Sequence, residues 1–117
     1  MKEQDILDYV NDILISIQDT EEFTAGITFE EFLKDKKTTK AVIRSLEVLG
    51  EASKKIPDDL KAQHPQIPWK RMTGMRDKLI HEYFGVDLEI VWNVAKEELP
   101  PIKPYFIQLI KEIEDKE

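Results

Sequence analysis

Four residues in this chain have the types and spacing to do chemistry: Arg76, Asp77, His81 and Tyr83. They share one run, Met75-Arg76-Asp77-Lys78-Leu79-Ile80-His81-Glu82-Tyr83-Phe84-Gly85-Val86-Asp87. His81 is one of only two histidines, and an imidazole passes protons near neutral pH. A guanidinium such as that of Arg76 grips a phosphate with a two-pronged fork and stabilises growing negative charge. An acid–base group and a phosphate clamp suffice to cleave a phosphodiester without a metal. Asp77 lies four residues before His81, on its side of a helix, where a carboxylate can orient the imidazole and favour its protonated form. The ordinary structural reading of these residues is a helix-end histidine satisfied locally and a solvent-facing pair worth a few tenths of a kcal/mol.

Spacing constrains how such a site is assembled. Five residues at roughly 100° each leave Arg76 and His81 about 140° apart around a helix, too far for one narrow face. A two-fold axis beside the helix removes the difficulty, because copies of both residues then meet in one cleft. Lys70 and Lys78 add positive charge that suits a phosphate backbone, although exposed lysines on a helix more often form a solvated face.

Other chemistries find little support. With no cysteine there is no disulfide framework and no thiolate site. His64 stands before Pro65 without neighbouring ligands, which argues against structural zinc. Glu47, Glu51, Asp58 and Asp59 are acidic, but a two-metal carboxylate bundle needs Glu-x-x-His pairs from several helices, and that pattern is absent. No glycine-rich phosphate loop occurs. The sequence therefore calls for no metal and no cofactor.

Length and charge narrow the class. The 117 residues suit one domain, 1–117. A net charge of −7 opposes nonspecific coating of nucleic acid, so any RNA contact needs a local basic site. No stretch approaches the run of about 20 apolar residues that spans a bilayer, and the charged N-terminus does not read as a signal peptide. A cytoplasmic protein is expected.

The elements that must position the motif are all helical. Ile6, Tyr9, Val10, Ile13, Leu14 and Ile17 recur at helical spacing over 5–18, and the helix can run on to Phe23, with no strong breaker before Gly26. Thr28-Phe29-Glu30-Glu31 is a capping box for a short helix, and a bend is expected in the polar run 35–40. A second strong helix covers 38–55 and ends at Pro57. Residues 57–68 read as a connector in which Asp58-Asp59-Leu60 forms one turn, with Pro68 at the first position of the next helix. Trp69, Met72, Met75, Leu79 and Tyr83 mark the key helix, 68–83, which Gly85 should terminate. Asp87 caps the following helix with Leu88, Val91, Trp92 and Ala95 inward. Pro100 breaks that helix, and 102–115 forms the last one. Trp69, Trp92, Tyr105 and Phe106 read as core or interface anchors. The expected architecture is an all-α antiparallel bundle of four main helices plus one or two short ones.

The extended block resembles a known family. Arg76-Asp77-Lys78-Leu79-Ile80-His81-Glu82-Tyr83 matches the R-x4-H-x-Y signature of HepT-like toxins, a branch of the HEPN superfamily. Ala41–Lys55 (AVIRSLEVLGEASKK), Ile67–Pro100 and Phe29–Thr38 (FEEFLKDKKT) extend the likeness over nearly the whole chain. The resemblance implies a helical homodimer and a metal-independent endoribonuclease in which Arg76 and His81 are the catalytic pair. It implies an RNA substrate cut by 2′-hydroxyl attack, and a partner antitoxin that is a minimal nucleotidyltransferase. Tyr83 matches the tyrosine that such a partner adenylylates in some family systems. Asp77 departs from the asparagine common after the motif arginine; a carboxylate there either repels RNA phosphate or raises the basicity of His81. The competing class is a non-catalytic helical module whose cleft binds a nucleotidyltransferase or a nucleotide.

Overall fold

The computed structural model describes residues 2–80 and 86–116, with Arg76 and Ile80 described through their backbone alone. Every regular element among the described residues is helical. Helix α1 spans Glu3–Thr24, α2 Phe29–Lys34, α3 Lys36–Lys54 and α4 Asp58–Gln63. Helix α5 spans Trp69–Thr73, α6 Met75–Ile80, α7 Leu88–Asn93 and α8 Lys103–Asp115. No helix among the described residues is long and apolar enough to cross a membrane.

The apolar positions read from the sequence form the core. Val10, Ile13 and Ile17 of α1, Val42, Leu46 and Leu49 of α3, and Phe106 and Leu109 of α8 are all buried. Tyr9 and Asp12 near the start of α1 share a groove with Glu51, Ala52 and Lys55 near the end of α3, so these helices run antiparallel. Helix α8 is also antiparallel to α1. Lys103 at its start pairs with Glu21 at 3.1 Å, while Ile113 and Lys116 at its end share a hollow with Glu3 and Ile6. Buried hydroxyls find acceptors within their own helices: Thr20 donates to the Ile17 carbonyl at 2.8 Å, Thr24 to Thr20 at 2.7 Å and Ser53 to Leu49 at 2.7 Å. Those bonds offset the cost of burying a polar group.

Several boundaries differ from expectation for local reasons. Helix α1 runs one residue beyond Phe23, to Thr24, before Gly26, at φ 74°, takes the chain into the left-handed region. The bend expected over 35–40 is confined to Asp35. Its amide closes α2 on Phe32, and its carboxylate accepts from the Thr38 amide and caps α3, so the lysine-rich run is helical. Asp58–Gln63 makes a longer helix than one turn. Pro68 takes the cap position of α5 rather than its first residue. The key helix is interrupted: α5 closes at Gly74 and α6 starts at Met75.

Pro100 does not reverse the chain. Residues Val94–Glu98 widen into a π-helical turn, Pro100–Ile102 tighten into a 3-10 turn, and α8 follows. A proline cannot donate to the preceding turn, and widening the ladder re-sites the neighbouring bonds. Leu99 accordingly donates five residues back, to the Val94 carbonyl at 3.0 Å.

Candidate active site

The motif helix is mounted on α3. Met75 and Leu79, four residues apart, are each 3 % exposed, and α6 packs against α3. An i, i+4 pair of buried side chains fixes both the position of a short helix and its rotation about its axis. The backbone of Arg76 lies in this first turn, while Asp77 and Lys78 are exposed. The side chain of Arg76, the whole of His81 and Tyr83, and the turn expected at Gly85 lie outside the described residues. The separation of Arg76 and His81 around the axis therefore stays an expectation from their spacing.

The flanks of the motif are firmly held. Upstream, the Trp69 indole N–H donates to the His64 carbonyl at 3.0 Å, and its ring meets Phe106 edge-on with centroids 5.6 Å apart. The His64 imidazole stands 3.6 Å from Glu112, so this second histidine tethers the connector to α8. Arg71 and Glu98 form an ion pair that ties α5 to the π-helical turn and holds the guanidinium above its ordinary value, through the hydrogen bond first and the charge second. Downstream, the Asp87 carboxylate accepts from Glu89 N at 3.0 Å and Ile90 N at 3.4 Å, so the cap expected for α7 is present. Trp92 then sits against Phe29 and Phe32, with ring centroids 5.8 and 5.0 Å away, and Lys96 lies 5.4 Å from its centroid.

Asp77 has a neighbour that the sequence did not disclose. Its Oδ1 lies 3.6 Å from Lys54 Nζ at the end of α3. A lysine 23 residues upstream carries no pattern linking it to the motif; only the docking of α6 on α3 brings the two charges together. Tyr105, expected among the anchors, is 42 % exposed, whereas Phe106 is fully buried. Among the described residues no three histidine, aspartate or glutamate side chains converge as a metal-ligand set. Glu47 pairs with Arg44 at 3.8 Å and lines the α1–α3 groove beside Glu51.

The family model described as ribonuclease HepT-like matches residues 13–109, which include every helix that mounts the motif. The chain belongs to the ribonuclease HepT-like family. Among its HepT-like relatives is the probable ribonuclease HepT of Thermococcus cleftensis, 57 % identical over 104 residues, covering 89 % of this chain and 94 % of that protein. A candidate RNase of Methanocaldococcus jannaschii is 49 % identical over 97 % of this chain and 94 % of its own. A second candidate RNase of that organism is 50 % identical over 99 % of this chain and its own full length. No solved structure matches the chain. The all-α expectation is thus met for a HepT-like chain, and the R-x4-H-x-Y run falls inside the matched region.

Proposed function

We propose that this HepT-like protein is a metal-independent endoribonuclease toxin, with Arg76 and His81 as its catalytic pair. The observation that carries the reading is that α6, which holds Arg76 and the start of the R-x4-H run, is seated on α3, in a chain 57 % identical to a probable ribonuclease HepT. His81 takes the proton from a ribose 2′-hydroxyl, and the 2′-oxygen attacks the adjacent phosphorus. The 5′-oxygen departs and takes up a proton, leaving a 2′,3′-cyclic phosphate and a 5′-hydroxyl. Arg76 stabilises the charge that builds on the phosphate oxygens. The offset of about 140° expected from the spacing of the two residues favours a homodimer that completes the site from two copies.

In this proposal the partner is a minimal nucleotidyltransferase antitoxin. It joins the Tyr83 phenol oxygen to the α-phosphorus of ATP and releases pyrophosphate. The added adenylate sets bulk and negative charge beside the RNA site, which opposes substrate by sterics and repulsion. The site works in the cytoplasm, as a single 1–117 domain.

The test of the chemistry is a substrate carrying one 2′-deoxy position. Cleavage should stop at that linkage and continue at its neighbours, because the nucleophile is missing there. Cleavage at the deoxy position would rule the mechanism out. Absence of cleavage at every linkage, together with tight binding of the nucleotidyltransferase, would favour the non-catalytic interaction module. For Tyr83, intact mass after co-expression with the partner should show adenylate that Tyr83→Phe abolishes.

A further inference from the structure

A basic face runs along the helix that carries the motif. Gly74 N donates to the Lys70 carbonyl at 3.1 Å, and Lys78 N donates to the Gly74 carbonyl at 3.0 Å. These successive i, i+4 bonds stack Lys70, Gly74 and Lys78 on one side of α5 and α6. Eight residues separate the two lysines across the junction of α5 and α6, so their ammonium groups can meet different phosphates of one strand. Both are exposed, and neither is in an ion pair among the described residues.

Gly74 opens the space between them. Its backbone is right-handed helical, at φ −80° and ψ −8°, so no unusual conformation demands glycine. A Cβ there would meet only carbonyls of its own turn, Lys70 O at 3.3 Å and Arg71 O at 3.8 Å. No described neighbouring element fills the dent, and the Lys70 carbonyl at 3.3 Å would crowd a Cβ. Asp77 also borders this face, and Lys54 Nζ, 3.6 Å away, sets a positive charge beside its carboxylate. The positive side chains here are Lys54, Lys70 and Lys78, against Asp77 and against Asp87, which lines a hollow with Lys78, in a chain of net charge −7. Arg71 is not counted, because Glu98 holds it.

We propose that the Lys70–Gly74–Lys78 face is the track on which an RNA strand lays its phosphate backbone. The glycine dent lets the strand approach the helix between the two lysines. This proposal rests on the ribonuclease reading and names the residues that position its substrate. RNA is favoured over an acidic protein because Lys78 belongs to the motif run itself, three residues before His81, the residue that the ribonuclease reading sets against the phosphate.

The test measures binding of a labelled single-stranded RNA to the full chain carrying His81→Ala, across a range of salt. Lys70→Met with Lys78→Met should lower the slope of log affinity against log salt by about 1.4, at about 0.7 per phosphate contact. Lys40→Met with Lys111→Met, a pair on exposed positions of α3 and α8, should leave the slope unchanged. Gly74→Ala should bind less tightly than the parent and Gly74→Gln less tightly still, because a side chain fills the dent. Circular dichroism checks that each variant keeps its helices. The proposal is overturned if the Lys70/Lys78 pair leaves the slope intact, or if the control pair lowers it equally. Loss of polyglutamate binding with RNA binding intact would overturn it in favour of an acidic protein partner. In the chain with His81 intact, the Lys70/Lys78 variant should raise KM and keep kcat. If the unmutated chain cleaves nothing while the salt slopes behave as stated, the ribonuclease reading fails and the track stands.

Discussion

Lys54 Nζ lies 3.6 Å from Asp77 Oδ1, joining the last turn of α3 to the helix that carries Arg76. Asp77 was the residue of the motif with the most ambiguous sequence reading, since a carboxylate there either repels phosphate or tunes His81. The pair adds a third influence, a lysine whose charge opposes that of the carboxylate. With side chains 38 % and 66 % exposed, the contact is worth no more than about 0.2–1 kcal/mol to folding. Lys54→Met should therefore leave the thermal midpoint nearly unchanged and weaken RNA binding. Asp77→Asn should recover more binding in the Lys54→Met background than in the wild type. A double-mutant cycle on RNA affinity measures this, and strictly additive effects would show that the two charges act separately.

Asp35 gives a pH prediction. Its Oδ2 accepts from the Thr38 hydroxyl at 2.6 Å and its Oδ1 from the Thr38 amide at 3.1 Å. The hydroxyl first and the amide second hold the carboxyl below its ordinary value of 3.8. A depressed folded value means that the stabilisation is fully present above 3.8 and is lost as pH falls through the lower folded value. Asp35→Asn should cap α3 without that dependence. Thermal melts of both proteins, taken downward from about pH 5, should converge as acid removes the wild-type advantage. A gap that stays constant across this range would contradict the assignment.

Trp69 fixes the entry to the motif helix by two separable contacts. Trp69→Phe keeps a ring near Phe106 and loses the indole bond to the His64 carbonyl, which should cost about 0.5–1.5 kcal/mol. Phe106→Ala empties a fully buried site and should cost about 3–5 kcal/mol. Urea denaturation measures both. Equal losses would mean that the hydrogen bond and the packing cannot be told apart at this corner.

The sequence disclosed what depends on periodicity and on local capping. The Thr28–Glu31 box forms with both reciprocal bonds, Thr28 N to Glu31 Oε1 at 2.9 Å and Glu31 N to Thr28 Oγ1 at 3.1 Å. The Asp87 cap is equally local, and the apolar stripes of α1, α3 and α8 became the core. What was not legible depends on one residue serving two helices or on distant segments meeting. Asp35 closes α2 and opens α3, so a run that reads as a polar interruption is helical. Gly74 ends α5 without ending the helical direction of the chain. The π-helical turn before Pro100 absorbs a break that proline alone would suggest. Lys54 and Asp77 meet only through packing, which no spacing rule encodes.

The most direct measurement of the central claim is cleavage of a defined RNA by the wild-type chain and by His81→Ala, with chelator present and the product ends analysed. The account predicts cleavage by the wild type in chelator, 2′,3′-cyclic phosphate ends, and loss of cleavage in a His81→Ala protein that keeps its helical circular dichroism. Cleavage that vanishes with chelator, or that persists undiminished in His81→Ala, would contradict it.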